Sequence, residues 1–200
     1  MQNHFDDMVR EVDRFLVGTS KVHAALDHVA RALEESGVEF ALGGGLALGE
    51  HGYVRVTVDV DLLVTAEGLE RFKSRWLGRG FAESHPDSRR VRETETGVPI
   101  DFLLAGDYPG DGRPKSVRFP DPASIARGGG RLRVLDLRTL IELKLASGIS
   151  APDRLRDLAD VLELVRANRL GETYAERLDQ SVRVKYLEIW RAAQAPRRDL

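Results

Sequence analysis

Two aspartates, Asp59 and Asp61, stand one residue apart in a segment that alternates between apolar and polar side chains. The alternation over residues 54–62 predicts a strand with all its polar side chains on one face. That face carries, in order, Arg55, Thr57, Asp59 and Asp61. Neighbouring acids repel and aspartate is a poor strand former, so a cation such as Mg²⁺ would stabilise the pair. A solvated face of an edge strand is an equally good interpretation of this motif alone.

A third aspartate, Asp101, interrupts the otherwise apolar segment 98–104. A carboxylate among apolar neighbours is costly unless it is paired or bound to a metal. If this segment lies beside the first strand, Asp101 could face Asp59 and Asp61. Three clustered carboxylates suit a two-metal site, in which a carboxylate near an attacking hydroxyl can take its proton. The alternative is an acid at a strand end in solvent.

A run of three glycines, Gly43, Gly44 and Gly45, precedes the acidic strand. Glycines allow backbone N–H groups to approach a phosphate closely. The run matches neither the P-loop nor the dinucleotide fingerprint, and a tight turn is the better interpretation of the glycines alone. Their position just before the acids is what makes them candidates for phosphate binding.

Lys144 lies near the centre of the apolar face of a helix predicted for residues 137–147. A lysine there must snorkel to solvent, pair with an acid or contact a phosphate. On the next predicted helix, Arg154 falls on the apolar stripe and Asp157 at its border. We predict an ion pair between Lys144 and Asp157, which leaves Arg154 free for an anion. Surface salt bridging, which contributes little stability, is the alternative.

The rest of the pattern predicts the elements that position these residues. Apolar spacing and capping residues predict helices at residues 4–16, 19–36, 65–77, 137–147, 151–168, 172–178 and 182–193, with Ser150 capping the fifth. Strands are predicted at residues 38–42, 54–62, 81–84, 89–96, 98–104 and 131–135, with a hairpin turn at Gly97. Residues 105–130 are rich in Gly, Pro and Asp and predict a long irregular loop that is either functional or mobile.

Composition excludes several classes of function. The chain has 200 residues, of which 42% are hydrophobic and 31% charged, as expected for a soluble globular protein. The absence of cysteine excludes disulfides, thiolate chemistry and cysteine-ligated zinc. A net charge of −2 provides no global basic field for nucleic acid. The sequence contains no signal-peptide pattern and no membrane-spanning run, so we expect a cytoplasmic protein without membrane partners.

Taken together, these motifs resemble the minimal nucleotidyltransferases of the DNA polymerase beta superfamily, in particular the branch of AbiEii-type toxins. The branch pattern is a Gly-Gly pair, a His-Gly pair, and then Arg-x-Thr-x-Asp-x-Asp. It matches Gly44-Gly45, His51-Gly52 and residues 55–61 here. A third acid, a helical Lys and an Arg-x-(Lys or Arg)-Asp-x-x-Asp motif follow, at Asp101, Lys144 and residues 154–160. The resemblance covers about residues 36–168.

The resemblance implies an α/β (α+β) nucleotidyltransferase fold, with a mixed β-sheet flanked by helices. Combined with the predicted helices and strands, it gives a catalytic core with N-terminal helices at residues 1–135 and a helical C-terminal part at residues 136–200 packed on that core. The expected reaction transfers a nucleoside monophosphate from an NTP and releases pyrophosphate. Mg²⁺, as two ions with substrate bound, or Mn²⁺ in its place, would be held by the catalytic acids Asp59, Asp61 and Asp101.

The same resemblance assigns the residues around the metal. The nucleotide would contact Gly44, Gly45, Arg55, Thr57, Lys144 and Arg154. Asp157 and Asp160 would support these residues from behind. The wider superfamily often has Gly-Ser where this chain has Gly-Gly, so one hydroxyl contact to phosphate is missing.

The acceptor of the nucleotide stays open. Within the family, acceptors include tRNA ends, protein side chains and small molecules such as antibiotics. A toxin would imply an antitoxin protein as partner, and an antibiotic-modifying enzyme is an alternative. A non-catalytic nucleotide-binding or scaffold protein of the same fold is the other alternative. The presence of all three acids and the lysine favours an enzyme, because a decayed site would be expected to have lost one of them.

Overall fold

A computed structural model describes residues 2–83, 85–126 and 132–195, with side chains from residue 7 onward. The helices are α1 Gln2–Leu16, α2 Lys21–Glu35, α3 Gly44–Glu50, α4 Ala66–Trp76, α5 Leu137–Ser150, α6 Leu155–Ala167 and α7 Arg183–Gln194. The strands are β1 Ala41–Leu42, β2 Val60–Val64, β3 Phe81–Glu83, β4 Arg90–Glu93 and β5 Pro99–Leu104. Short 3₁₀ helices lie at Pro122–Ser124, Glu172–Arg177 and Gln180–Val182.

The strands form one mixed sheet in the order β1-β2-β5-β4-β3. The central pair, β2 and β5, is parallel, and the other neighbouring strands are antiparallel. Helix α2 packs on β2 and on α4, while α5, α6 and α7 pack on one another. This arrangement confirms the predicted mixed sheet with flanking helices. The division into two parts at residue 135 stays a prediction.

An apolar core fixes one face of the sheet and leaves the acids on the other. Leu62 and Phe102 are adjacent in the register of β2 and β5, and both are buried. The Phe102 ring lies 5.2 Å from that of Phe72 on α4, which in turn lies 5.0 Å from Phe81 on β3. Because side chains alternate along a strand, Asp61 and Asp101 project to the opposite face.

The long central strand predicted over residues 54–62 is wrong for residues 54–59, because the regular strand begins at Val60. Val54, Val56 and Val58 are 59%, 41% and 73% exposed, although they were predicted to form the apolar face. Neighbouring strands explain the difference. Strand β1 has only two residues and pairs only with Leu62 and Leu63, and β5 starts level with Val60. Residues 54–58 therefore have no strand to pair with in the described part of the chain.

Several other predictions were confirmed. The turn at Gly97, with φ of 75°, joins β4 and β5 as a hairpin. The side chains of Thr65 and Asp136 cap α4 and α5 by accepting hydrogen bonds from backbone N–H groups. Helices are found near all the predicted places, although residues Glu172–Arg177 are 3₁₀ rather than α-helical. Ser84 and residues 127–131, which were predicted as a strand end, a loop end and a strand start, lie outside the described residues.

The predicted N-cap at Ser150 is wrong. Ser150 is the last residue of α5, and its hydroxyl donates to the Ala146 carbonyl. Helix α6 starts only at Leu155, with Arg154 at its N-cap position. Pro152 explains the delay, because a residue before proline avoids helical geometry and Ala151 is extended. In the described residues 132–135, the predicted strand is replaced by isolated bridge positions at Arg133 and Val134, and Val134 pairs with Leu42.

The described helices were predicted to contain no membrane-spanning run. None of them is long and apolar enough to cross a bilayer. A contiguous set of buried side chains instead joins α2, the sheet and the C-terminal helices, and includes Leu33, Leu63, Ile141, Val161 and Tyr186.

Candidate active site

Strands β2 and β5 bring two of the predicted acids together. In this parallel pair Asp61 lies directly opposite Asp101, and Asp59 precedes Asp61 by two residues on the same side of the chain. A cavity of about 1080 Å³ opens above them. Its lining contains all the predicted site residues except Asp160, namely Gly44, Gly45, Arg55, Thr57, Asp59, Asp61, Asp101, Lys144, Arg154 and Asp157.

Asp61 is the most perturbed acid of the cavity. Its burial, together with the negative charges of Asp59 and Asp101, raises its pKa from 3.8 to about 7. Lys144 and a hydrogen bond from the Gly45 backbone N–H act in the opposite direction and are outweighed. At neutral pH this carboxyl is therefore poised between its charged and neutral forms. A cation at its oxygens would favour the charged form.

The glycine run fits closely around Asp61. Gly44 has φ of +55°, in the left-handed region that favours glycine, and a Cβ added there would overlap the Asp61 carboxylate. A Cβ on Gly45 would come within 2.9 Å of the Thr57 side chain. Both positions are therefore restricted to glycine by their contacts. At the start of α3, these glycines bring backbone N–H groups to the acids without any intervening side chain.

The other two acids are held by hydrogen bonds from neighbouring side chains. The Thr57 hydroxyl donates to Asp59 Oδ1 at 2.6 Å. Arg90 on β4 donates from Nε and Nη2 to the two oxygens of Asp101, at 2.5 Å each. Arg90 was not predicted as a site residue. The predicted hairpin places β4 beside β5, but only the observed loop, in which the Glu93 N–H donates to the Val98 carbonyl, sets residue 90 opposite residue 101.

Lys144 and Arg55 converge on a buried acid behind the cavity. Lys144 Nζ donates to Asp157 at 2.9 Å and to Asp160 at 2.7 Å, which confirms the predicted pair with Asp157. Arg55 donates two further hydrogen bonds to Asp160, at 2.8 and 3.0 Å. The hydroxyl of Ser147, which was not predicted, donates to Asp157 at 2.6 Å. Thus two predicted nucleotide contacts already have acid partners.

The charges of this network stabilise its ionised form. Burial acts to raise the pKa of Asp160, but the hydrogen bonds and charges of Arg55 and Lys144 outweigh it and hold that pKa below its usual range. Asp160 is 1% exposed. Removing a partner from such a pair is costly because a buried charge is then left uncompensated. The network ties α5 and α6 to the segment that precedes β2.

Arg154 lies exposed at the rim of the cavity. Within the described part of the chain its side chain has no ion pair, and its contact with an anion stays a prediction. Arg156 lines the same rim and is exposed as well. The guanidinium groups of these two arginines and the carboxylates of Asp59, Asp61 and Asp101 therefore line the same cavity.

The acids fit a divalent cation in chemical type. Carboxylate oxygens are the ligands that Mg²⁺ prefers, and burial, followed by the charges of Asp59 and Asp101, raises the pKa of Asp61. In the present side-chain arrangement, no three metal-ligating side chains of the described residues converge closely enough to hold a metal ion. Asp101 is directed to Arg90, and Asp59 accepts from Thr57.

Comparison with known proteins supports the fold. No family model and no curated protein sequence matches the chain. A crystal structure of ANT(2'')-Ia in complex with adenylyl-2''-tobramycin is similar, with a TM-score of 0.50, 18% identity, and coverage of 86% of this chain and 98% of that one. The chain has a nucleotidyltransferase fold.

A second solved structure is more distant. The solution structure of the antibiotic-resistance factor ANT(2'')-Ia has a TM-score of 0.41 and 15% identity, and the alignment covers 84% of this chain and 80% of that one. At these identities the likeness concerns the fold alone. Neither structure bears on the AbiEii-type branch, which stays a prediction.

Proposed function

We propose that this protein is a Mg²⁺-dependent nucleotidyltransferase that moves a nucleoside monophosphate from an NTP to an acceptor. The observation that carries the proposal is the pairing of Asp61 with Asp101 on adjacent strands, beneath a glycine turn and inside a large cavity. Acids placed side by side in this way repel one another, and the cost is recovered when cations and phosphates bind.

Asp59, Asp61 and Asp101 would hold Mg²⁺, or Mn²⁺ in its place. When bound, the metal would neutralise charge on the phosphates and polarise the reacting oxygens. Thr57 fixes the orientation of Asp59, since its hydroxyl donates to that carboxylate. Gly44 and Gly45 allow the backbone at the start of α3 to lie close to Asp61 and Thr57, so its N–H groups would be near phosphates bound at the acids.

The reaction needs a base and a cationic contact. The acceptor hydroxyl attacks the α-phosphorus, the bond to pyrophosphate breaks, and the hydroxyl proton passes to a carboxylate. Asp101 suits this role, because it is partly exposed in the cavity. Arg154 is free to contact the outer phosphates. Lys144 lines the same cavity, but its ammonium group already donates to Asp157 and Asp160. Arg55 likewise donates to Asp160 and orients it.

A small-molecule acceptor has one specific observation in its favour. The fold neighbour ANT(2'')-Ia was solved with adenylyl-2''-tobramycin, and the alignment covers 98% of that chain. The cavity of about 1080 Å³ lies at the upper end of the sizes common for small-molecule sites. Antibiotic modification is therefore our second candidate. A tRNA acceptor and an antitoxin partner rest only on the sequence resemblance.

Metal-dependent nucleotide binding tests the proposal. Mg²⁺ or Mn²⁺ with each NTP should raise the free energy of unfolding by about 2.7 kcal/mol at a hundredfold excess over Kd. The double variant Asp59→Asn/Asp61→Asn should lose this stabilisation. Glu70→Gln, an exposed acid on α4, is the matched control and should retain it.

Transfer of a radioactive label from the NTP identifies the acceptor. Incubation with α-labelled NTPs and either RNA, cell lysate or an aminoglycoside panel should label one of these fractions in the presence of metal. Absence of metal-dependent nucleotide binding by the wild type would refute the enzymatic function. Binding without any transfer would favour the non-catalytic alternative.

A further inference from the structure

Three charged residues lie in a row across the central strands. Asp61 on β2 is level with Asp101 on β5, and Asp101 is level with Arg90 on β4. Their side chains share the face of the sheet that lines the cavity. The row therefore places a guanidinium beside the two acids at the centre of the proposed metal site.

Arg90 binds Asp101 in the two-pronged geometry that favours arginine–carboxylate pairs. Both of its hydrogen bonds measure 2.5 Å, and each reaches a different oxygen. Among the described residues, the guanidinium of Arg90 has no other acid within ion-pair distance. Arg90 and a divalent cation at the same oxygens would repel each other, so the two compete for Asp101.

The surroundings allow Arg90 to withdraw. Its side chain is 57% exposed, and that of Asp101 is 23% exposed. The guanidinium therefore needs no repacking of the core to leave, and the cavity beside it is open. By contrast, Lys144 is buried against two acids and is fixed in place.

We propose that Arg90 is a positioning residue that holds Asp101 in the metal-free protein and yields it to a divalent cation. The proposal rests on the proposed function, since it takes Asp101 as a metal ligand. Arg90 reduces the repulsion between Asp61 and Asp101 when no metal is bound. It also lowers the affinity of the site for a metal ion in the absence of nucleotide. Metal binding is therefore weakened for as long as the Arg90 guanidinium is paired with Asp101.

Replacement of Arg90 should therefore tighten metal binding. We expect Arg90→Gln to bind Mn²⁺ about fivefold more tightly than the wild type in the absence of nucleotide, the change that corresponds to an exposed ion pair of about 1 kcal/mol. Free Mn²⁺ is measured by electron paramagnetic resonance during titration. A residue that only supported the fold would leave this affinity unchanged or lower it.

Arg92→Gln is the matched control. Arg92 lies on the same strand and face, and its side chain donates to the Gly97 carbonyl rather than to an acid. The substitution removes the same charge, so any long-range effect on the metal is similar. We expect its Mn²⁺ affinity to stay within about twofold of the wild type, because the charge is more distant and screened by solvent.

The outcomes separate this inference from the proposed function. If the wild type binds Mn²⁺ and Arg90→Gln binds it no more tightly, or if Arg92→Gln tightens it equally, the role of Arg90 is refuted alone. If neither wild type nor variant takes up Mn²⁺ with or without NTP, both proposals fail. Should Arg90→Gln not fold, Arg90→Lys replaces it, since lysine keeps the charge but loses the two-pronged contact, and an intermediate affinity is expected.

Discussion

The substitution Asp61→Asn should stabilise the metal-free protein at alkaline pH while it abolishes metal binding. Burial and the charges of Asp59 and Asp101 raise the pKa of Asp61 to about 7, against 3.8 in the unfolded chain. Between these two values the folded state holds a proton that the unfolded state has released. The wild type therefore loses stability as pH rises from about 4 to about 7, and asparagine, which has no proton to lose, avoids this loss.

The size of the effect follows from the pKa. One pH unit of difference in protonation corresponds to about 1.4 kcal/mol, so between pH 5 and pH 7, where Asp61 is half ionised, its contribution to the free energy of unfolding falls by about 2.3 kcal/mol. Above pH 7 little further change is expected from this group. Burial lowers the pKa of His23, so this group makes the free energy of unfolding rise with pH as it titrates. The effect is the same in the wild type and in Asp61→Asn, and it cancels when the two are compared.

Urea unfolding in the presence of a chelator measures this difference. We expect the stability of Asp61→Asn relative to wild type to increase by about 2 to 3 kcal/mol between pH 5 and pH 8. If Asp61→Asn and the wild type differ in free energy of unfolding by the same amount at both pH values, the raised pKa of Asp61 is refuted. The claim that the acids repel one another in the absence of a cation is then refuted as well. The acids with lowered pKa, such as Asp160, lose their contribution only near or below pH 4 and do not interfere.

Two further substitutions test the glycine turn and the buried ion network. Gly44→Ala should lower the free energy of unfolding by more than the roughly 1 to 2 kcal/mol of left-handed backbone strain, because its Cβ overlaps the Asp61 carboxylate. It should also abolish metal-dependent nucleotide binding. Gly18→Ala, with φ of +73° and open space around it, is the control and should lower the free energy of unfolding by the strain alone. Lys144→Met should lower the free energy of unfolding by about 3 kcal/mol, because it leaves the buried Asp160 with one cation. Lys185→Met breaks an exposed ion pair and should change the free energy of unfolding by less than about 1 kcal/mol. Urea unfolding measures each effect, and equal losses within either pair of variants would contradict its explanation.

Much of the site could be predicted from local pattern. Asp101 was recognised because an acid in an apolar strand needs a partner. Lys144 was recognised in the same way on an apolar helix face, and its pair with Asp157 was confirmed. These predictions worked because burial of a charge imposes a requirement that the neighbouring residues along the chain already reveal.

Other features depended on which segments become neighbours. Arg90 carries an ordinary exposed charge on a short strand, and only its register with Asp101 gives it a role. The alternation of residues 54–58 predicted buried valines, but no strand of the described residues lies beside them and the polar side chains turn inward instead. Alternation indicates that two faces differ, whereas the tertiary contacts decide which face is covered.

By itself, the sequence determined the strand, turn and helix order, the three acids and the glycines that precede them. It could do so because periodicity, turn residues and misplaced charges are properties of short stretches of chain. The tertiary structure alone decided that Asp61 and Asp101 lie level, that Arg90 holds Asp101, and that Asp160 joins Lys144 to Arg55. Each of these depends on the distance between charges brought from separate segments, and electrostatic energy varies with that distance and with burial.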